Sequence, residues 1–231
     1  MLAQPDFTGQ VVLVTGAGRG LGRAIAAAFA KRGAGVAAND ISPVNLDLTL
    51  LQIRLAGGEV KDYVFDLAKL MPVQNMIDQV LADWGRIDIL VNNAAVRPMV
   101  PLLEFDAWDW QRTLEVNLSG AFYATQLVAK AMRGQGGGAI VNIAASLSAG
   151  RGLEGQSAFY ASKLGLVGLT RAAAGELKAY QIRVNAICPG EAPVDPVAGA
   201  AHLAALVEQV LVLCSPAAND LTGQVIEMGG D

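Results

Sequence analysis

The sequence predicts a doubly wound α/β fold, a seven-stranded and mainly parallel sheet with helices on both faces. Three observations predict it. Strand-like apolar runs alternate along the chain with stretches of helical periodicity, the pattern of βαβ units joined by right-handed crossovers. Most of the strand-like runs are continuously apolar rather than alternating, as parallel strands covered on both faces are. A glycine-rich turn joins the first such run to an alanine-rich helical run, in Val11-Val12-Leu13-Val14-Thr15-Gly16-Ala17-Gly18-Arg19-Gly20-Leu21-Gly22.

The strands are expected at residues 11–15, 35–39, 60–65, 87–92, 139–143, 182–187 and 224–228. A helix follows the glycine turn over residues 23–30. The segment 72–84 places Val73, Met76, Ile77, Val80, Leu81 and Trp84 on one face, at i, i+3, i+4, i+7, i+8 and i+11. Longer helices are expected over 106–134 and 156–180, and a shorter one at about 200–213. Gly134-Gln135-Gly136-Gly137-Gly138 reads as a helix-to-strand turn, and Asp40-Ile41-Ser42-Pro43 as a helix start. With no repeats and no low-complexity linker, the 231 residues are expected to form one domain, 1–231.

Composition narrows the function classes. The chain is 53% hydrophobic and only 16% charged, which suits a large core. A net charge of -4 without any basic run argues against a nucleic-acid partner. The start, Met1-Leu2-Ala3-Gln4-Pro5-Asp6, has neither the basic nor the apolar region of a signal peptide. No uncharged apolar run reaches the ~18 residues of a membrane span. Cys188 and Cys214 have no metal-ligand or redox spacing and read as buried thiols, so a cytoplasmic location is expected. His202 is the single histidine, which argues against a His-based triad or a multi-histidine metal site, and no metal is expected.

The chemistry starts at the glycine turn. Glycine tolerates positive φ and lets backbone approach a ligand closely. The unpaired amides at the start of the following helix then suit an anion such as a pyrophosphate. A strand–turn–helix of this kind is the setting of a dinucleotide site, although the same glycines also serve a turn that holds no ligand. Asp40 closes the second strand about twenty residues later, where a carboxylate accepts hydrogen bonds from adenosine ribose hydroxyls and repels a 2′-phosphate. That favours NAD over NADP. Arg19, which could pair with a 2′-phosphate, is the contrary signal.

These residues, with others in the same order, resemble the short-chain dehydrogenase/reductase family. The resemblance covers most of the chain. It runs through Thr15–Gly22, Asp40, Asp66-Leu67, Asn92-Asn93-Ala94-Ala95, Asn117, Ser146, Ser162-Lys163, Asn185, Pro189-Gly190 and Thr222-Gly223-Gln224. It implies the Rossmann fold and nicotinamide chemistry, the interconversion of a secondary alcohol and a ketone. Gly16, Gly18, Arg19, Gly20, Leu21, Gly22, Asp40, Asp66, Leu67, Asn93, Ala94, Ala95, Lys163, Pro189 and Gly190 are the cofactor-binding residues it implies. Asp66 would contact adenine, and Asn92 and Ala94 would border the adenosine ribose. Asn117 would bend its helix and hold a water of a proton relay, Ser146 would bond the substrate oxygen, and Lys163 would hold the nicotinamide ribose. A homodimer or homotetramer, packed through the helices 106–134 and 156–180, is implied as well. Those helices, rich in alanine and glycine, could instead bury their small faces on the sheet.

Three departures bear on activity. The family places a tyrosine four residues before the lysine, where this chain has Phe159, which has no proton to give. Tyr160 lies three residues before Lys163, near the same helix face but displaced from it. Either Tyr160 serves as the proton donor or the donor is lost. Ser146 stands at the family's distance from Lys163 but one residue late after Asn142, with Ser148 as a second candidate. After Pro189-Gly190 the chain reads Glu191-Ala192-Pro193-Val194-Asp195-Pro196, without the usual threonine and with a shortened lid. Two main readings follow: an oxidoreductase acting through Asn117, Ser146, Tyr160 and Lys163, or a dinucleotide-binding protein with little or no turnover. A lyase or epimerase on the same fold is a third. The substrate stays open among ketones, 3-oxoacyl thioesters and sugars.

Overall fold

The structure is a computed structural model that describes residues 5–145, 153–190 and 195–228. Its strands are β1 (Val11–Thr15), β2 (Gly35–Asp40), β3 (Val60–Val64), β4 (Ile89–Asn92), β5 (Gly138–Ile143), β6 (Ile182–Cys188) and β7 (Val225–Glu227). They form one sheet in the order β3-β2-β1-β4-β5-β6-β7, and every neighbouring pair is parallel. The chain reverses its direction of winding between β1 and β4. That is the switch point beyond which ligands sit in such sheets.

Alternation of side chains explains why the strands carry so little polarity. Val12 and Val14 of β1, Val36 and Ala38 of β2, Ile89 and Val91 of β4 and Val141 of β5 point to one face. There they meet Ile25, Phe29, Leu46, Ile53, Leu206 and Val210 of helices α1 (Gly20–Lys31), α2 (Pro43–Leu55) and α7 (Pro196–Cys214). Leu13, Ala37, Leu90 and Ile140 point the other way. They meet Val73, Met76 and Val80 of α3 (Leu70–Trp84), and Val128 and Met132 of α5 (Gly120–Gln135). A strand buried on both faces has no position at which a polar side chain is free of cost.

Some boundaries differ from expectation for local reasons. The predicted helix over 106–134 is divided into α4 (Ala107–Leu114), a π turn over Glu115–Ser119, and α5. α6 (Ser157–Leu177) follows the predicted helix and ends in a 3₁₀ turn over Lys178–Tyr180. The strand β4 begins at Ile89, two residues later than expected, and the Asp88 carboxylate before it accepts from the amide of Val11, 2.8 Å away. α7 begins at Pro196, earlier than expected: the Asp195 side chain accepts from the Ala198 amide at 2.8 Å, and proline occupies the first turn. α2 runs a full 13 residues from the predicted start, capped by Ser42. Its period is hidden in the sequence because leucines occupy both faces, Leu46 and Leu50 inward and Leu48, Leu51 and Leu55 outward.

α7 is, among the described helices, the one long and apolar enough by composition to cross a membrane. Here Leu206, Val207, Val210, Leu211, Leu213 and Cys214 are buried, most of them in the layer beside α1, and Glu208 pairs with Arg32 of α1's C-terminus at 2.7 Å.

Gly120 opens α5 directly after the π turn, where a β-carbon would come within 2.7 Å of the Leu67 carbonyl oxygen. Gly120→Val is expected to cost about 1–3 kcal/mol by overpacking, read as a lower urea midpoint with an unchanged slope.

Candidate active site

The ends of β1 and β4 are locked together before any cleft forms. The Thr15 hydroxyl accepts from the amides of Asn93 (3.0 Å) and Ala94 (3.1 Å) and donates to the Val91 carbonyl (3.3 Å). The Asn93 side-chain amide returns the contact by donating to the carbonyls of Thr15 (2.9 Å) and Gly16 (3.1 Å). Gly16 has φ +64° and its β-carbon position lies 2.8 Å from the Ala94 Cα, so only glycine fits. At Gly22 a β-carbon would sit 2.1 Å from the Gly16 carbonyl oxygen, so the first turn of α1 presses on the loop before it.

This packing orients the loop's polar groups. The Ala17 carbonyl accepts from the Thr49 hydroxyl at 2.9 Å, and the Gly18 carbonyl accepts from the Arg23 guanidinium, so both face inward. The amides of Gly20, Leu21 and Gly22 have no partner among the described residues, and no side chain caps α1. Gly20 has open space where its β-carbon would be. A helix start with unpaired amides beside an open glycine is a cradle for an anion.

A cleft of about 520 Å³ lies in front of these amides. Of the predicted cofactor residues, Gly16, Arg19, Gly20, Leu21, Gly22, Asp40, Asp66, Leu67, Asn93, Ala94 and Ala95 line it. Gly18 stands behind the cleft wall, where its amide donates to the Asp40 carboxylate at 3.0 Å. The other Asp40 oxygen accepts from the Ser42 amide, also at 3.0 Å. Asp66 accepts from the Ala68 amide (3.0 Å) and pairs with Arg112 of α4 (2.9 Å). Burial opposes ionisation of Asp66, yet these bonds outweigh it and hold its carboxyl below the ordinary value. Asn92 does not border the cleft. It is buried, and its side chain donates to Thr125 (3.0 Å) and to Asn142 (2.8 Å), which donates to Thr170 of α6 (2.9 Å).

The π turn carries Asn117, which is 1% exposed. Its Oδ1 accepts from the Val96 amide at 2.8 Å. Its Nδ2 donates to the Val96 carbonyl (2.9 Å) and to the Ser162 hydroxyl (3.0 Å), which donates to the Phe159 carbonyl (2.7 Å). The side chain is therefore filled by the loop after β4 and by α6. Any water at this residue falls to main-chain groups of the widened turn.

Lys163 is 2% exposed on α6, and its ammonium donates to the Ile143 carbonyl at the end of β5, 2.5 Å away. Burial lowers its pKa to about 8, offset slightly by the Cys188 thiol. Burial in turn pushes Cys188 up to about 11. Tyr160 makes no hydrogen bond to Lys163 among the described residues; its ring packs edge-on against Phe159 at 5.5 Å. Arg97, from the loop after β4, lies over the other residue of that pair, 5.0 Å from the Phe159 ring centre, and donates through Nε to Gln156. Ser146 and Ser148 lie outside the described residues, as do residues 191–194. Pro189 and Gly190 follow β6, Gly190 with φ +70°, and do not line the cleft.

Sequence reasoning assigned no role to Thr15, Arg112 or Arg97. Thr15 carried a signal in its place, a hydroxyl at the last position of a buried strand. The two arginines carried none, since their partners are distant in sequence.

A parallel sheet with uncapped helix amides at its switch point and a carboxylate at the next strand end defines a nucleotide-binding α/β protein. The chain belongs to the short-chain dehydrogenases: residues 10–200 match the model of that family. It is 43% identical to the D-threitol dehydrogenase of Mycolicibacterium smegmatis, over 78% of this chain and 69% of that one. It is 35% identical to a 3-oxoacyl-[acyl-carrier-protein] reductase of Thermotoga maritima, over 96% and 97%. Among solved structures, a short-chain type dehydrogenase/reductase of Mycobacterium marinum superposes with a TM-score of 0.90 at 32% identity, covering 97% of this chain and 95% of that one. An NAD+-bound xylitol dehydrogenase superposes with a TM-score of 0.86 at 29% identity, covering 97% of this chain and 99% of that one.

The lowered pKa of Lys163 has a consequence for stability. The unfolded chain holds its lysine proton up to about 10.5, whereas the folded chain releases it near 8. The unfolded state thus binds more protons in that window, and stability rises with pH through it. Wild-type protein is expected to gain thermal stability relative to Lys163→Met between pH 7 and pH 10, by about 2–4 °C for each kcal/mol relieved, measured as paired melting curves.

Proposed function

We propose that the protein is an NAD-dependent oxidoreductase that interconverts a secondary alcohol and a ketone, with Lys163 rather than Tyr160 as the source of the proton. The bound nicotinamide would donate or accept the hydride. The observation that carries the reading is the buried Lys163 ammonium, whose pKa of about 8 lies within reach of neutral pH. An acid of that strength gives up a proton to a forming alkoxide and recovers it from solvent. The site's own parts support the rest. The amides of Gly20, Leu21 and Gly22 would hold the pyrophosphate, and Asp40 would accept from a ribose hydroxyl while repelling a 2′-phosphate. Ser146 would bond the substrate oxygen, and a water on the main chain of the turn around Asn117 would link Lys163 to solvent. Pro189 and Gly190 would border the nicotinamide.

Tyr160 suits the donor's role poorly, because its ring is spent on Phe159 and it has no hydrogen bond to Lys163 among the described residues. Two copies of the chain would pair through α5 and α6. The groove between them, about 250 Å³, is lined by Phe122, Leu169 and Tyr180. Phe159 favours a second reading, a protein that binds the dinucleotide and turns substrate over slowly or not at all.

The test is NADH consumption against ketones and 3-oxoacyl thioesters, with NADH binding followed by fluorescence in the same samples. Turnover above a Lys163→Ala control supports the reductase. Tyr160→Phe is expected to change turnover less than twofold. Phe159→Tyr is expected to raise it by ~10²–10⁴, the worth of a positioned acid. Tight NADH binding with no turnover by either the wild type or Phe159→Tyr would establish the binding-protein reading instead.

A further inference from the structure

We infer that Arg97, laid on Phe159 and braced by Gln156, is a binding site for a carboxylate group of the substrate, so that the substrate is a hydroxy acid or an oxo acid. The inference rests on the oxidoreductase reading above and specifies what that site accepts.

Three contacts set the guanidinium. Its Cζ lies 5.0 Å from the centre of the Phe159 ring, a cation–π contact that holds an otherwise exposed guanidinium over the ring. Its Nε donates to the side chain of Gln156, which is 2% exposed and so gives a rigid brace. Its backbone is tied down one residue earlier, where Asn117 holds both the amide and the carbonyl of Val96. The two terminal nitrogens have no partner among the described residues and form the end-on fork that matches a carboxylate in two parallel hydrogen bonds. A guanidinium already held by a ring on one side and a hydrogen bond at Nε loses less freedom on binding, which raises affinity. One guanidinium balances the single charge of a carboxylate, whereas a phosphate dianion calls for a second cation.

The position ties this cation to the reaction. Val96 lines the cleft, and Phe159 sits one helical turn before Lys163 on α6. Phe159 is also where the family's pattern has its proton donor. The ring that lacks a hydroxyl here serves as a platform for a fixed positive charge. Arginine keeps its proton in proteins, so Arg97 is not a substitute acid. It selects and orients an anionic substrate.

Malonate is the probe, titrated by calorimetry into protein with and without NADH. Wild-type protein is expected to bind it, Arg97→Met to bind at least tenfold more weakly, and Arg97→Lys to fall between them, since lysine keeps the charge but not the fork. A second arm compares 2-, 3- and 4-oxo acids with their methyl esters as substrates. At least a tenfold lower KM for the acid is expected in the wild type and no preference in Arg97→Met, with NADH fluorescence unaltered in both. Equal malonate affinity in wild type and Arg97→Met, or esters used as well as acids, would overturn the carboxylate site. Arg97-dependent malonate binding with no oxo acid turned over would leave that site standing and defeat only the oxidoreductase reading.

Discussion

The join between Thr15 and Asn93 is the interaction on which the site depends. In a parallel sheet whose winding reverses between β1 and β4, the loops leaving those two strands part in opposite directions. A hydroxyl at the end of one strand and an amide side chain at the end of the other exchange five hydrogen bonds with each other's backbone. The lock brings Gly16 against Ala94 so closely that no side chain fits, and it sets where α1 starts. The unpaired amides of that helix are therefore placed by the sheet, not by the glycine loop alone. Glycines without the lock would give a flexible turn; the lock without glycines would clash.

Asparagine repeats this kind of bridge across the sheet. Asn39 of β2 donates to the carbonyls of Tyr63 and Phe65, Asn92 of β4 reaches Asn142 of β5, and Asn185 of β6 bonds Leu221 and Gln224 ahead of β7. Each is buried and each is satisfied, as a polar group in an apolar layer has to be. A side chain with both donor and acceptor ends bridges neighbouring strands or the loops beside them. These bridges tie neighbouring strands and loops together, and delivery of a hydride to a carbonyl carbon and of a proton to its oxygen would require such stiffness.

Asn117, Ser162 and Phe159 join the loop after β4 to α6. The chain of hydrogen bonds from Val96 through Asn117 and Ser162 to the Phe159 carbonyl holds the loop after β4 against α6. The residue held there is apolar, and its ring lies under Arg97. Lys163 remains buried, with its ammonium on a strand-end carbonyl and its pKa brought down by burial. A buried cation with one hydrogen-bond partner among the described residues is costly to keep.

The sequence by itself determined the fold class, the strand positions and most of the cleft lining, because these follow from short-range regularities. Continuous apolar runs report burial on both faces, and the glycine spacing reports a backbone that needs positive φ and close approach. The start of α7 moved where a single side chain bonded locally, as Asp195 does. The helix α2 was legible only at its start, since leucines on both faces erase its period. Asn92 was misread because residues on adjacent positions of a strand point to opposite faces. Its neighbour Asn93 joins the cleft, while Asn92 turns into the helix layer. Tertiary structure alone decided that Arg112 neutralises Asp66 and that Arg97 lies on the ring of a residue 62 positions away. Those contacts join side chains from separate loops and helices, and the distances between them exist only once the sheet has brought its carboxyl ends together.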